Sequence, residues 1–174
     1  MIILGIDPGS RKTGFGLIQQ TGNTITHIDH GVISLKQESL IHRLGHIHQT
    51  IKALITQYQP DHMAIEQVFV HINPQSALKL GQARGAALAA CDAQTLSSYE
   101  YSPREIKLAV AGFGAANKSQ IQQMIKALLS LKITPPSDAA DALAVAICHC
   151  HQYKLKKTLA QAKVTAGCTK TDKI

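Results

Sequence analysis

The chain opens with Met1-Ile2-Ile3-Leu4-Gly5-Ile6-Asp7, followed by the turn residues Pro8-Gly9-Ser10. A short apolar run that ends at turn residues is typical of a fully buried β-strand. An ionised carboxylate at the end of such a strand is costly unless a positive charge meets it. Because aspartate is also depleted in strands, Asp7 indicates a functional position.

Three further acids stand in comparable places. Glu66 ends the apolar run Met63-Ala64-Ile65, and Asp138 and Asp141 lie three residues apart at the start of a predicted helix, on one face. Each acid alone could be a turn residue or a helix cap, and the helix dipole explains one of the two aspartates. Four converging carboxylates without an adjacent basic partner indicate divalent cations, which prefer oxygen ligands. Two such ions could clamp the attacking and leaving oxygens of a phosphodiester.

The charge balance points to a polyanionic partner. The chain has 18 Lys and Arg against 11 Asp and Glu, a formal net charge of +7. Setting the four candidate acids aside leaves eighteen basic side chains against seven acidic ones. A basic body around a small acidic pocket favours a nucleic acid as substrate. A basic cytosolic protein without a nucleic-acid partner is the alternative.

Length and composition predict one globular domain. The chain has 174 residues, of which 45% are hydrophobic, enough for a sizeable core. No stretch has the length of a membrane span, and the N-terminus lacks the features of a signal peptide. The four cysteines, at positions 91, 148, 150 and 168, show no disulfide spacing. This usage favours a reducing, cytoplasmic location.

The pattern of elements predicts a mixed α/β fold. The strands are expected at 1–7, 13–20, 24–35, up to Glu66 and 95–101, and the helices at 39–58, 76–91, from Pro103, 118–131 and 138–152. Three antiparallel strands followed by alternating helices and strands give a five-stranded sheet whose later strands are parallel, with helices on both faces. We expect residues 1–152 to form this domain and residues 153–174 to form a mobile basic tail.

The second predicted helix, residues 76–91, carries small side chains on nearly every side. It carries two glycines and five alanines between Gly81 and Ala90. Glycine in a helix costs roughly 1 kcal/mol relative to alanine, so close approach of another backbone is expected. That backbone could belong to the sheet or to the same helix of a second subunit.

The order of these motifs resembles the RuvC-type Holliday junction resolvases, which belong to the ribonuclease H-like superfamily. The resemblance covers about residues 1–151. The matching stretches are Gly5-Ile6-Asp7-Pro8-Gly9-Ser10 with Thr13-Gly14, Ala64-Ile65-Glu66-Gln67-Val68-Phe69, Ser76 to Gly85, Lys118-Ser119-Gln120, and Ser137 to Ala144.

The resemblance implies a catalytic site and a substrate. The family's catalytic carboxylates match Asp7, Glu66, Asp138 and Asp141, which would hold two Mg²⁺ ions, with Mn²⁺ as a substitute. Some members have a histidine at the position of Asp138. The family acts as homodimers that bind four-way DNA junctions, nick two opposed strands and work in recombination and repair with the branch-migration proteins RuvA and RuvB.

The resemblance also implies DNA contacts. Lys107 and Lys118 match lysines that contact the DNA backbone near the cut, and Arg84 is a further candidate contact. Phe69 matches an aromatic residue near the junction centre. An exposed ring there can stack on an unpaired base, although a ring packed against the sheet is the alternative.

Other histidine and cysteine motifs predict little chemistry. His42 and His46 lie one helical turn apart but lack a third ligand, which argues against a zinc site. The segment Cys148-His149-Cys150-His151 lacks the spacing of a zinc knuckle, so buried thiols and exposed imidazoles are expected there.

Three alternative functions stay open from the residues. The run from Asp7 to Gly14 resembles the phosphate loop of actin-like ATPases, but those enzymes need two lobes. A related nuclease that acts on RNA or unbranched DNA is the second alternative. A non-catalytic binder of branched DNA is the third, although such a protein gains nothing from acids that face phosphates.

Overall fold

The computed structural model describes residues 1–36, 39–68, 74–92 and 96–167. These residues form one five-stranded sheet in the order β3-β2-β1-β4-β5. The first three strands are antiparallel neighbours, whereas β4 and β5 run parallel to β1. The predicted sheet is confirmed. The strands are β1 Ile2–Asp7, β2 Lys12–Thr21, β3 Thr24–Ser34, β4 His62–Glu66 and β5 Ser97–Tyr101.

Helices cover both faces of this sheet, as the mixed α/β pattern predicts. One apolar core lies between the sheet and α1 with α2, and a second core lies between the sheet and α3 to α5. The helices are α1 Leu40–Tyr58, α2 Pro74–Asp92, α3 Pro103–Ala111, α4 Lys118–Leu128 and α5 Ser137–Gly167. Within the described ranges, no helix is both long enough and apolar enough to cross a bilayer.

Glycines in the sheet allow α5 to lie directly on β1 and β2. A Cβ atom on Gly5 would lie 2.1 Å from the Ala142 carbonyl oxygen, and one on Gly14 would lie 1.9 Å from the Asp138 carbonyl oxygen. The facing part of α5 is rich in buried alanines, including Ala142. The backbone of α5 therefore contacts the backbone of the sheet directly, and the start of α5 lies beside the end of β1.

Helix α2 packs on the core with one face and leaves another face open. Ala83, Ala87 and Ala90 are buried against the α1 side of the sheet. Gly81 and Gly85 are exposed, and a Cβ atom on either would meet nothing within 4 Å. We expected these small residues to pack either within the chain or against a second subunit, and the structure shows the packing within the chain.

The last helix is longer than its pattern indicates. We expected it to end near Gln152, but α5 continues to Gly167. The expectation was wrong because the Lys, Leu, Ala and Gln residues of this segment are strong helix formers even without an apolar stripe. The division into a domain (1–152) and a tail (153–174) stays a prediction.

The serines at the starts of two helices do not cap them through their side chains. Ser39 occupies the N-cap of α1, but its side chain makes no capping hydrogen bond. Ser137 lies inside α5, and its hydroxyl is buried without a hydrogen-bond partner. By contrast, Ser102 and Glu105 form a reciprocal capping box at α3, where Pro103 occupies the first turn.

Candidate active site

Three of the four predicted acids meet at one end of the sheet. Strands β1 and β4 are parallel neighbours, with Ile6 paired to Ile65, so the acids that follow both residues lie at the same edge. Asp141 reaches this edge from the first turns of α5. The three carboxylates line a hollow of about 330 Å³ together with Pro103, Ile106, Lys107, Lys118 and Ile121.

Asp7 and Glu66 hold a proton between them. Burial, and after it the neighbouring Glu66 and Asp141 carboxyls, together raise the pKa of Asp7 to about 8. Burial also raises the pKa of Glu66, although its hydrogen bond with Asp7 acts in the opposite direction. Asp7 is therefore the protonated partner of the pair at neutral pH, and Glu66 accepts its hydrogen bond.

Asp141 lies beside a lysine. Its carboxylate lies 3.5 Å from the Lys118 ammonium. Burial raises the pKa of Asp141, whereas Lys118 lowers it and Asp138 raises it. Asp138 is thus close enough to act on Asp141 electrostatically, but it is not among the residues that line the hollow.

The predicted DNA contacts divide into three groups. Lys107 and Lys118 line the acidic hollow, where both favour the ionised form of Glu66. Arg84 lies on α2 and forms an ion pair with Glu100 on β5, and it does not line the acidic hollow. Phe69 lies outside the described residues.

The sequence did not identify the apolar wall of the site. Ile106 and Ile121 bury one face of α3 and α4, and each also borders the acids. A second hollow of about 220 Å³ shares Asp7, Glu66 and Pro103 with the first. The apolar spacing of the two short helices predicts that these isoleucines are buried, but only the fold places them beside the carboxylates.

The donor set fits a hard divalent cation. The three acidic side chains that converge all supply carboxylate oxygens. The raised pKa values of Asp7, Glu66 and Asp141 indicate a site with too little positive charge. In the described parts of the chain, no three Asp, Glu, His or Cys side chains are already arranged to hold an ion. The shared proton and Lys118 supply the positive charge instead, so small side-chain movements would accompany metal binding.

One histidine motif differs from expectation. Cys148 and Cys150 are buried thiols, and His151 is exposed, as predicted. His149 is fully buried, however, so the prediction of an exposed imidazole there was wrong. The apolar packing of α5 on the sheet, which the residue types alone do not reveal, covers this ring.

A mixed sheet of this strand order, with acids at the ends of β1 and β4, is the ribonuclease H-like fold. Residues 3–149 match the family model described as "Crossover junction endodeoxyribonuclease RuvC". The chain therefore belongs to the RuvC family of crossover junction endodeoxyribonucleases.

Individual relatives agree with this membership. The chain is 50% identical over 164 residues to the RuvC of Klebsiella pneumoniae (strain 342), covering 94% of this chain and 93% of that protein. It is 53% identical over 150 residues to the RuvC of Citrobacter koseri, covering 86% and 87%. A structure of Thermus thermophilus RuvC in complex with Holliday junction substrate is 33% identical, with a TM-score of 0.84, covering 90% of this chain and 96% of that one.

Proposed function

We propose that this crossover junction endodeoxyribonuclease resolves Holliday junctions by two-metal hydrolysis, with paired symmetric nicks in opposed strands. The observation that carries the mechanism is the meeting of Asp7, Glu66 and Asp141 in one hollow that Lys107 and Lys118 also line. The acids lack enough positive charge around them, which favours a bound cation. The lysines beside them can face phosphates, which favours a phosphodiester substrate.

The carboxylates would hold the cations. Asp7, Glu66 and Asp141 would ligate two Mg²⁺ ions, or Mn²⁺ in their place, and Asp138 would complete the set from the same helix. The ions would activate a water for attack on phosphorus and stabilise the leaving oxygen. On metal binding Asp7 would release the proton that it shares with Glu66, because metal ligands must be deprotonated.

The lysines would position the DNA strand. The Lys118 side chain is 75% exposed although its ammonium approaches Asp141, so it can contact a phosphate from its present position. Lys107 lines the same hollow from α3. Both charges would stabilise the negative charge that develops on the scissile phosphate.

Assembly and location complete the proposal. Two opposed cuts need two equivalent sites, and a closed two-fold homodimer supplies them. Arg84 and Phe69 would be further DNA contacts, and RuvA and RuvB would be the partner proteins. The buried thiols of Cys91, Cys148 and Cys150 suit the cytoplasm.

The test uses four substrates and four conditions, which are Mg²⁺, Mn²⁺, Ca²⁺ and chelator. The protein should cut a four-way junction in Mg²⁺ or Mn²⁺, and in Ca²⁺ or chelator it should bind the junction without cutting, because Ca²⁺ is larger and coordinates loosely. Asp7→Asn should lose cleavage and keep binding, whereas Asp29→Asn, an equal charge change on the edge strand β3, should still cut.

The other substrates separate the alternatives. Efficient cutting of a matched duplex, a single-stranded RNA or an RNA–DNA hybrid would favour the related nuclease. Binding without cutting in every metal would favour the non-catalytic binder. Cleavage in excess chelator would exclude the two-metal mechanism.

A further inference from the structure

The fully buried His149 links α5 to two strands of the sheet. Its Nδ1 atom lies 2.8 Å from the hydroxyl oxygen of Tyr101 on β5, and its Nε2 atom lies 2.9 Å from Nδ1 of His62 on β4. One side chain of α5 therefore contacts both strands that run parallel to β1.

The two hydrogen bonds are directional. In either neutral tautomer one ring nitrogen of His149 donates and the other accepts, so the ring can satisfy both partners at once. Tyr101 is only 3% exposed, and burial raises the pKa of its hydroxyl, which therefore keeps its proton. Burial lowers the pKa of His62, which favours the neutral ring.

The linked residues adjoin the elements that carry the acids. Tyr101 is paired with Glu66 across β4 and β5, and its carbonyl oxygen accepts a hydrogen bond from the Gln67 amide. Asp141 lies on the same helix as His149, about two turns closer to its start. A shift of α5 along the sheet would therefore change the position of Asp141 relative to Glu66.

The other contacts of α5 do not resist such a shift equally. At β1 and β2 the helix backbone lies against Gly5 and Gly14, and Leu143 packs over Gly16, so these contacts set how closely the helix approaches the sheet. On the β4 and β5 side, the rings of Tyr99 and Tyr153 surround the imidazole, with centroids 4.5 Å and 5.4 Å from it. Hydrogen bonds within this aromatic cluster can define position as well as distance.

We propose that His149 is a positioning residue of the active site, which holds α5 where Asp141 meets Glu66 around the metal ions. The inference rests on the proposed two-metal function. His149 does not line the hollow, so it would act through Tyr101, His62 and the helix.

Metal titration without DNA is the first test. His149→Phe keeps a ring but removes both hydrogen bonds, and it should weaken Mn²⁺ binding by about 10-fold in calorimetry, as losses of groups that orient metal ligands do. Tyr101→Phe removes one hydroxyl and should show a smaller effect. The double variant should be no weaker than His149→Phe, because the changes act on one network.

Cleavage kinetics give the second readout. At saturating junction and Mg²⁺, the single-turnover rate of His149→Phe should fall by about 10-fold, whereas junction binding in Ca²⁺ should stay unchanged. His149→Gln, which can still donate and accept, should recover part of both losses. If His149→Phe does not fold, Tyr101→Phe carries the same comparison.

Ile147→Ala is the matched control, since Ile147 is a buried neighbour on the same helix. It should lower the melting temperature by leaving a cavity but keep metal affinity.

The proposal is wrong if His149→Phe also only lowers the melting temperature, with metal affinity and rate like the wild type. A wild type that binds Mn²⁺ but cuts no junction would contradict the proposed function, and the titration would still test His149. A wild type that binds no Mn²⁺ would contradict both.

Discussion

Asp7 shows how a single buried acid connects folding to metal binding. Its pKa rises from 3.8 to about 8, chiefly because burial disfavours the charged carboxylate and then because Glu66 lies beside it. An acid in this position stabilises the fold only while it is neutral or compensated. The residue that would be essential for the chemistry is therefore costly for the folded chain when no cation is bound.

Without metal, the stability of the protein should fall as pH rises between about 4 and 8. In this window native Asp7 retains a proton that the unfolded chain has already released, so higher pH favours unfolding. Glu66 and Asp141, with raised pKa values, act in the same direction. Calorimetric melting in chelator should show the decline, and Asp7→Asn should reduce it, so the variant gains most over the wild type at pH 8.

Manganese provides the complementary measurement. Bound metal should displace the proton and flatten the decline, with proton release visible as a buffer-dependent heat. Identical pH profiles for the wild type and Asp7→Asn would contradict the assigned protonation.

At the scale of elements, the contact of α5 with β1 and β2 decides where Asp141 lies. Gly5 is the central point of this contact, since any Cβ atom would overlap the Ala142 carbonyl and lie 2.8 Å from the Ala146 amide nitrogen. Backbone atoms of a helix cannot move aside as a flexible side chain can. The site geometry therefore depends on a residue that has no side chain.

Gly5→Ala should destabilise the protein by about 1–3 kcal/mol, as overpacking of a core does, and should weaken metal binding because α5 must move outward. Gly45→Ala is the control, since its Cβ atom would meet open space on α1, and it should stabilise the helix by up to about 1 kcal/mol. Denaturant unfolding and Mn²⁺ calorimetry measure both effects. Unchanged metal affinity in Gly5→Ala would show that the helix contact does not position Asp141.

At the scale of the whole molecule, the open face of α2 is our proposed dimer contact. Ala87 is buried within its own chain, so a bulky residue there would disturb the core and report nothing about assembly. Gly81 and Gly85 face outward, and Leu78 beside them is 64% exposed. These residues are therefore the ones to change.

Gly85→Gln should weaken dimerisation while it raises monomer stability by up to about 1 kcal/mol, because glycine is the poorer helix former. Gly45→Gln is matched, since Gly45 is also an exposed helical glycine with open space around it; it should give the same gain in stability without loss of dimer. Sedimentation at micromolar concentration and thermal melting measure the two effects. A wild-type monomer that nicks both strands symmetrically would contradict the dimer proposal.

The sequence by itself determined which stretches form strands, that the first three are antiparallel and the later ones parallel, and which acids are candidates. Apolar runs, turn residues and chain order are local signals, so they predicted the five strands and the positions of Asp7 and Glu66 at their ends. The helix pattern further predicted that Asp138 and Asp141 would join them from one face of a helix. The end of α5 was missed, since helix propensity there acts without an apolar stripe.

Only the tertiary structure decided which side chains meet across elements. It buried His149 against Tyr101 and His62, paired Arg84 with Glu100, and placed Ile106 beside the carboxylates. It also separated Asp138 from the hollow that Asp141 lines. The physical reason is that a periodic pattern defines which face of an element is apolar, whereas the partner of that face depends on packing between residues far apart in the chain.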